Sequence, residues 1–146
     1  MVEWLKAIDE LHQIVGSFAV LTICLAAVAL GSVRERLVAS VTLFDALTIV
    51  LFDVYLNEWW IAAVALKAVL LLIVYAGLSW RWPHSWLIVI TSLQCMDLLL
   101  LLSAMLDGSI LIRVNAMLRN VIGWLMLLTL LVATLQTVRA RRSGKG

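Results

Sequence analysis

Three ionisable side chains lie near the centres of three different apolar stretches: Asp45, Lys67 and Asp97. Each stretch is about twenty residues long, which is the length that spans a bilayer as a helix. An ionised side chain at that depth is costly, and such residues usually pair, line a polar cavity or carry ions. These three residue types could relay a proton, bind a small cation or hold a polar ligand. Two carboxylates and one ammonium leave a formal surplus of one negative charge, which a proton, a cation or a partner's group would neutralise.

Further polar side chains accompany the three ionisable residues. Counting at about 1.5 Å per helical residue places all three within a few ångströms of mid-depth. At about 100° per residue, Thr42 and Thr48 lie on the same side of a helix as Asp45, and Gln94 shares a face with Asp97. The sequence therefore predicts one intramembrane polar cluster, formed by Asp45, Lys67, Asp97, Gln94, Thr42 and Thr48.

Three interpretations of this cluster fit the sequence. Ion pairs could fix the register of packed helices, the cluster could form a proton or ion relay or a ligand cavity, or it could join the chain to a partner's helix. An intramembrane enzyme with Asp45 and Asp97 as a catalytic pair fits less well. No nucleophile, metal-ligand set or cofactor signature accompanies the two aspartates.

The remaining candidates for chemistry have structural explanations. Cys24 and Cys95 lie inside apolar stretches, outside any C-x-x-C pattern, and are expected to be free thiols that pack as small apolar residues. His12 and His84 are predicted on opposite sides of the membrane, which argues against a haem held by both. No metal-ligand spacing, phosphate-binding loop or hydrolase motif occurs. We therefore expect no enzymatic activity, no metal and no cofactor.

The elements that position these residues must be membrane helices. The chain of 146 residues is 64% hydrophobic, against about 45–50% in soluble proteins. Its apolar runs are continuous rather than alternating, and in hydrocarbon every backbone amide needs a partner within its own segment. The predicted fold is an all-α integral membrane protein, a compact bundle of five transmembrane helices. The predicted spans are about 14–31, 37–56, 59–78, 86–106 and 118–138, after an amphipathic segment 1–13 and before a basic tail 139–146.

Charge predicts the orientation of these spans. The first loop holds Arg34 and Arg36, the third loop holds Arg81, and the tail is also basic. Five spans place all three regions on one side, so the positive-inside rule predicts the N-terminus outside and the C-terminus inside. Four spans would instead place the basic first loop and the basic tail on opposite sides of the membrane. The segment after Met1 is acidic rather than basic, so the first stretch is expected to be a retained span and not a signal peptide.

Two further charged groups are predicted at the membrane surfaces. The first, on the outer side, is expected to form interfacial salt bridges, with snorkelling arginines, or a vestibule to the polar cluster. The second, in the C-terminal tail, is expected to bind anionic lipid head groups, and it is too short to form a nucleic-acid site. The outer-side polar group contains Asp53, Glu58, Asp107, Arg113 and Arg119, and the lipid anchor contains Arg139, Arg141, Arg142 and Lys145.

These features predict a small, non-enzymatic, multi-pass protein of the cell membrane, with a bacterial inner membrane as the expected location. Its polar cluster would bind a proton, a small cation or a polar ligand, or lock helix packing. So short a chain buries little polar volume alone, which favours a homo-oligomer or a subunit of a larger membrane complex. In its small size, apolar spans and short basic tail, the chain also resembles the phage holins. That resemblance implies membrane permeabilisation as the alternative function.

Overall fold

The computed structural model describes residues 2–55, 60–106 and 112–144, and within these ranges it has five α-helices and no strand. The predicted all-helical fold is therefore confirmed for the described part of the chain. The helices are α1 (Val2–Leu30), α2 (Val33–Tyr55), α3 (Trp60–Arg81), α4 (Ser85–Leu106) and α5 (Ile112–Ser143).

Local sequence explains where the described helices end. Pro83 lies between α3 and α4. A proline disfavours the helical conformation of the residue before it, which explains why α3 does not continue into α4. Gly31 and Ser32 separate α1 from α2. No comparable breaker follows residue 13, so α1 continues unbroken from the predicted amphipathic segment into the first apolar stretch. Similarly, α5 extends beyond the predicted range 118–138 at both ends.

Within the described ranges, three helices are long and apolar enough to cross a membrane: Ala62–Arg81, Ser85–Leu106 and Met117–Ser143. A shorter apolar helix covers Ile14–Leu30. Large apolar side chains cover the outer surface of the bundle, including Phe18, Phe44, Leu66 and Ile73. A soluble protein rarely exposes so continuous an apolar surface. These features together indicate a membrane protein.

The helices form a ring in which each packs on its neighbours along the chain, and α5 closes the ring against α1 and α2. Among consecutive helices, α2 and α3 pack least extensively. Cys24 and Ala27 of α1 and Ala39 of α2 are fully buried in the core, and small side chains such as these permit close packing of membrane helices. The main core lies in the half of the bundle that holds Gly31 and Pro83, and its buried members are Cys24, Ala27, Val38, Ala39, Leu71, Tyr75, Leu87, Ile90, Leu127 and Leu130.

The end of the bundle next to this core carries most of the arginines, and we call it the basic end. It brings together the end of α1, the start of α2, the α3–α4 connection and the end of α5. The arginines of the basic end are Arg34, Arg36, Arg81, Arg139, Arg141 and Arg142.

A buried carboxylate joins α2 to α5 at the basic end, beside the connection that follows α1. Glu35 caps the start of α2, where its Oε2 accepts hydrogen bonds from the Ser32 backbone N–H, at 2.5 Å, and from the Ser32 hydroxyl. Its Oε1 accepts a hydrogen bond from Thr137 Oγ1 of α5 at 2.9 Å. Burial raises the pKa of Glu35, but these hydrogen bonds outweigh it and hold the pKa below its ordinary value.

Arginine contacts complete the junction at the basic end. Arg141 of α5 donates to the backbone carbonyls of Leu30, at 3.2 Å, and Gly31, at 3.4 Å, which satisfies the end of α1. The guanidinium of Arg34 contacts the ring of His84 in the α3–α4 connection. The antiparallel arrangement of the helices is thus fixed by polar contacts as well as by the core.

Candidate functional site

The first ion pair of the bundle joins α2 to α3. Lys67 Nζ lies 2.6 Å from Asp45 Oδ1, and the two side chains are 14% and 29% exposed, respectively. Asp45 Oδ1 is buried and accepts no hydrogen bond within the described part of the chain. The contact is therefore a charge pair without hydrogen-bond alignment, and the carboxylate oxygen left accessible is Oδ2.

The second ion pair joins α4 to α5. Arg119 donates from Nε to Asp97 Oδ1 at 2.7 Å and from Nη2 to Asp97 Oδ2 at 3.2 Å. This two-point contact is the strong form of an arginine–carboxylate pair. Arg119 lies about two turns inside α5. This helix begins at Ile112, after residues 107–111, which are outside the described ranges.

Arg119 supplies a cation that the charge count of the three midspan residues does not include. The sequence predicts Arg119 in an outer-side polar group, at the start of the last span, and in the structure its long side chain reaches Asp97. Lys67 and Arg119 together balance the charges of Asp45 and Asp97.

Both ion pairs line one cavity at the centre of the bundle, with a volume of about 480 Å³. All five helices contribute to its wall. Gln94 of α4 is 5% exposed and lines this cavity, and its amide has no hydrogen-bond partner among the described residues. Its other lining residues include Gly16, Val20, Thr42, Ala46, Val64, Ala68, Leu71, Tyr75, Asn120, Ile122, Gly123, Trp124, Met126 and Leu127.

The two predicted threonines differ in position. Thr42 lines the cavity, and its hydroxyl lies 3.0 Å from the hydroxyl of the buried Tyr75 on α3. Thr48 donates to the backbone carbonyls of Phe44 and Asp45, and it lines a groove on the outside instead of the cavity. Of the predicted polar cluster, Asp45, Lys67, Asp97, Gln94 and Thr42 share the cavity, and Thr48 does not.

Outside the cavity, a groove of about 340 Å³ separates α2 from α3. Exposed apolar side chains such as Phe44, Leu70 and Val74 line it, so it opens on the apolar surface of the bundle. Asp45, Lys67 and Leu71 line both the groove and the cavity. The ion pair is therefore part of the wall between the two spaces, together with Leu71.

Two buried polar residues that matter here were not assigned a role from the sequence. Tyr75 links α2 to α4, since its backbone carbonyl also accepts a hydrogen bond from Thr91 Oγ1 at 3.2 Å. Asn115 Nδ2 donates to the Leu100 carbonyl at 2.5 Å, which ties α5 to α4. The sequence signal for both residues is a polar side chain on the face of an otherwise apolar helix. Helical periodicity does not show which backbone carbonyl or side chain such a residue contacts.

The other predicted groups are placed as follows. Asp53, Glu58, Asp107 and Arg113 lie outside the part of the chain whose side chains the structure describes, as does Lys145. Arg139 and Arg142 are exposed at the basic end, whereas Arg141 contacts the end of α1. Among residues with described positions, no three His, Cys, Asp or Glu side chains come together as a metal site requires.

No protein-family model, no curated protein and no solved structure matches the chain.

Proposed function

We propose that the chain crosses the membrane five times and that its central cavity binds a small polar molecule near mid-depth. The observation that carries this proposal is the convergence of two ion pairs and the unpartnered Gln94 amide on one cavity of about 480 Å³. Such convergence of a few polar groups on an otherwise apolar pocket is the usual form of a small-molecule site.

The volume and charge of the cavity favour a molecule over a proton or a bare cation. Ligand cavities commonly measure about 300–1,000 Å³, and a single ion would leave most of this space empty. Asp45 and Asp97 are already neutralised by cations at 2.6 and 2.7 Å. No surplus negative charge is left in the cavity to attract a cation.

A purely structural role for the ion pairs accounts for less of the geometry. Two salt bridges that only fix helix register are expected to be packed on every side, because voids in a core are destabilising. Here both pairs, together with Gln94, border open space. A ligand that fills this space would make hydrogen bonds to the polar groups and replace the missing packing.

The arrangement of the helices supports five spans. The basic end gathers Arg34 and Arg36 of α2, Arg81 of α3 and the end of α5 on one side of the bundle. Under the positive-inside rule this side faces the cytoplasm, with the N-terminus outside. The three longest apolar helices and the shorter Ile14–Leu30 would each contribute one span, and α2 would provide the remaining one.

Cysteine labelling tests whether the cavity admits polar molecules. Gly123 lines the cavity and a Cβ at this position would meet nothing within 4 Å, so Gly123→Cys introduces a thiol without a clash. Leu125 of the same helix is exposed and does not line the cavity, so Leu125→Cys is the matched control. Both changes would be made with Cys24→Ala and Cys95→Ala, in liposomes, against a membrane-impermeant methanethiosulfonate reagent.

We expect Gly123→Cys to react at least tenfold faster than Leu125→Cys, because the reagent attacks only hydrated thiols. Equal, slow labelling of the two positions would show that the cavity is closed to polar molecules and would refute the proposed function.

A further inference from the structure

We infer that the ligand of this cavity is a zwitterion, a small molecule with one cationic end, one anionic end and no net charge. This inference rests on the proposed function, since it names the chemical class of the molecule that the cavity binds. It follows from the charge balance of the wall and from the atoms on each side that are left without partners.

The charge balance of the wall excludes a strongly charged ligand. Two carboxylates and two cations line the cavity, so their charges sum to zero. A ligand with net charge would bring an uncompensated charge to mid-depth, where water is scarce and the cost is high. A ligand whose own charges cancel adds no such cost.

The α4–α5 side of the cavity offers a hydrogen-bond donor. Arg119 uses Nε and Nη2 to hold Asp97, and its third nitrogen, Nη1, contacts no acceptor within the described residues. Asn120 lines the cavity beside it. A guanidinium with a free N–H group matches a carboxylate or phosphate, so the anionic end of the ligand belongs here.

The α2–α3 side of the cavity offers an acceptor. Asp45 Oδ1 is buried against Lys67 Nζ, which lies 2.6 Å away, but the Asp45 side chain is 29% exposed, and its other oxygen, Oδ2, accepts no hydrogen bond in the described part of the chain. An ammonium donor from the ligand would bind this oxygen. Gln94, which can both donate and accept, lines the same space.

An uncharged polar molecule would bind these atoms less strongly than a zwitterion. A neutral ligand would still make charge-assisted hydrogen bonds to these ionised side chains, but it would lack the Coulomb attraction that a ligand with its own opposite charges adds where the dielectric constant is low. The cavity has the volume of about sixteen water molecules at about 30 Å³ each. That is enough for two charged ends joined by a short chain.

Protection of the Gly123→Cys thiol tests the ligand class directly. The probes are glycine, β-alanine, 4-aminobutyrate and 6-aminohexanoate, which separate the same two charges by increasing lengths. Each is compared at equal concentration with its cationic amide and with the fatty acid that lacks the amine. Leu125→Cys reports any effect of the probes on the reagent or on the membrane.

We expect at least one zwitterion to slow labelling of Gly123→Cys fivefold or more, with both charged analogues at least tenfold weaker and Leu125→Cys unaffected. If a charged analogue protects equally well, the cavity binds polar molecules but the inferred class is wrong. If labelling proceeds and no probe protects, the inference is also overturned. If Gly123→Cys does not label at all, the proposed function fails first, so the two failures are distinguishable.

Changing the charge of the wall supplies a second readout. Arg119→Gln leaves the cavity with a net negative charge, and protection should shift from the zwitterion to its cationic amide. Asp97→Asn leaves a net positive charge, and protection should shift to the fatty acid. An unchanged preference in both folded variants would overturn the inference, because a purely structural salt bridge does not set ligand charge. If neither variant folds, the comparison of probes on Gly123→Cys decides.

Discussion

At the scale of single residues, the site consists of two carboxylates and the cations that neutralise them. Lys67 pairs with Asp45, and Arg119 pairs with Asp97. Each pair is worth little as a net stabilising contact, because both charges lose water when they are buried. Losing one member of a pair is different, since the other charge then stays at mid-depth without a partner. This asymmetry makes the pairs testable.

The first prediction concerns Lys67→Met. We expect this variant to unfold at a lower temperature than wild type, because Asp45 loses its neutralising cation. A buried charge without a partner costs about 3–5 kcal/mol, and exposure of Asp45 to the cavity should reduce that figure. The double variant Lys67→Met/Asp45→Asn should recover much of the loss. The measurement is thermal unfolding in detergent, followed by the fluorescence of the seven tryptophans; a double variant less stable than Lys67→Met would contradict the prediction.

The second prediction concerns pH and Glu35. Its hydrogen bonds lower its pKa in the folded state below the unfolded value, which is about 4.3 for an ordinary glutamate. Ionised Glu35 therefore stabilises the fold fully above that ordinary value, and the contribution is lost as the pH falls through the folded pKa.

Thermal unfolding of wild type and Glu35→Gln between pH 7 and pH 3 checks this. The stability advantage of wild type over the variant should be largest at neutral pH and shrink below about pH 4. Thr137→Val removes one of the lowering hydrogen bonds and should keep part of the pH dependence. A gap between wild type and Glu35→Gln that widens in acid would show that the sign is wrong.

At the scale of helices, the sequence predicted much of the architecture. Continuous apolar runs, the glycine and serine before Val33 and the proline before His84 each mark a helix or its end. Depth counting predicts Asp45 and Lys67 at matching levels, and the two side chains are in contact in the structure. It does not predict the pairing of Arg119 with Asp97, because it ignores the reach of a long side chain along its helix. It also could not show the cavity, which depends on how five helices leave space between them.

The third prediction concerns the junction of α1 and α2. A Cβ at Gly31 would clash with the Ala27 backbone carbonyl and would lie 2.8 Å from Glu35 Cβ, so Gly31→Ala must displace the end of α1 or the start of α2. We expect a lower unfolding temperature for this variant. Gly77 is the matched control, since a Cβ there meets nothing within 4 Å.

Gly77→Ala should be neutral or stabilising by up to about 1 kcal/mol, because alanine is the better helix former. The measurement is again thermal unfolding in detergent. A Gly31→Ala protein as stable as Gly77→Ala would mean that the two helix ends do not approach as closely as described.

At the scale of the whole molecule, an odd number of spans must place the two termini on opposite sides. We predict that a fluorescent protein fused after the basic tail is fluorescent in bacterial cells and that alkaline phosphatase at the same position is inactive. Alkaline phosphatase fused after Leu30, with no later span, should also be inactive. It should be active when fused after Leu106. Phosphatase activity at the C-terminus would contradict the five-span arrangement.

The oligomer stays a prediction from the sequence, and light scattering in mild detergent measures it. The cavity itself needs no second copy, because one chain supplies walls from all five helices. A monomeric mass would therefore refute the oligomer and leave the proposed ligand site intact.

The position of Asp45 and Lys67 between the cavity and the outer groove has a consequence for the exchange of molecules with the bilayer. The residues that border both spaces are Asp45, Lys67 and Leu71, so one ion pair and one leucine separate hydrocarbon from the polar interior. Elsewhere apolar packing alone forms the barrier, but here part of the seal is electrostatic. Its opening would join a space of about 340 Å³ to one of about 480 Å³. The lifetime of the ion pair would then contribute to how often a molecule dissolved in lipid meets the cavity.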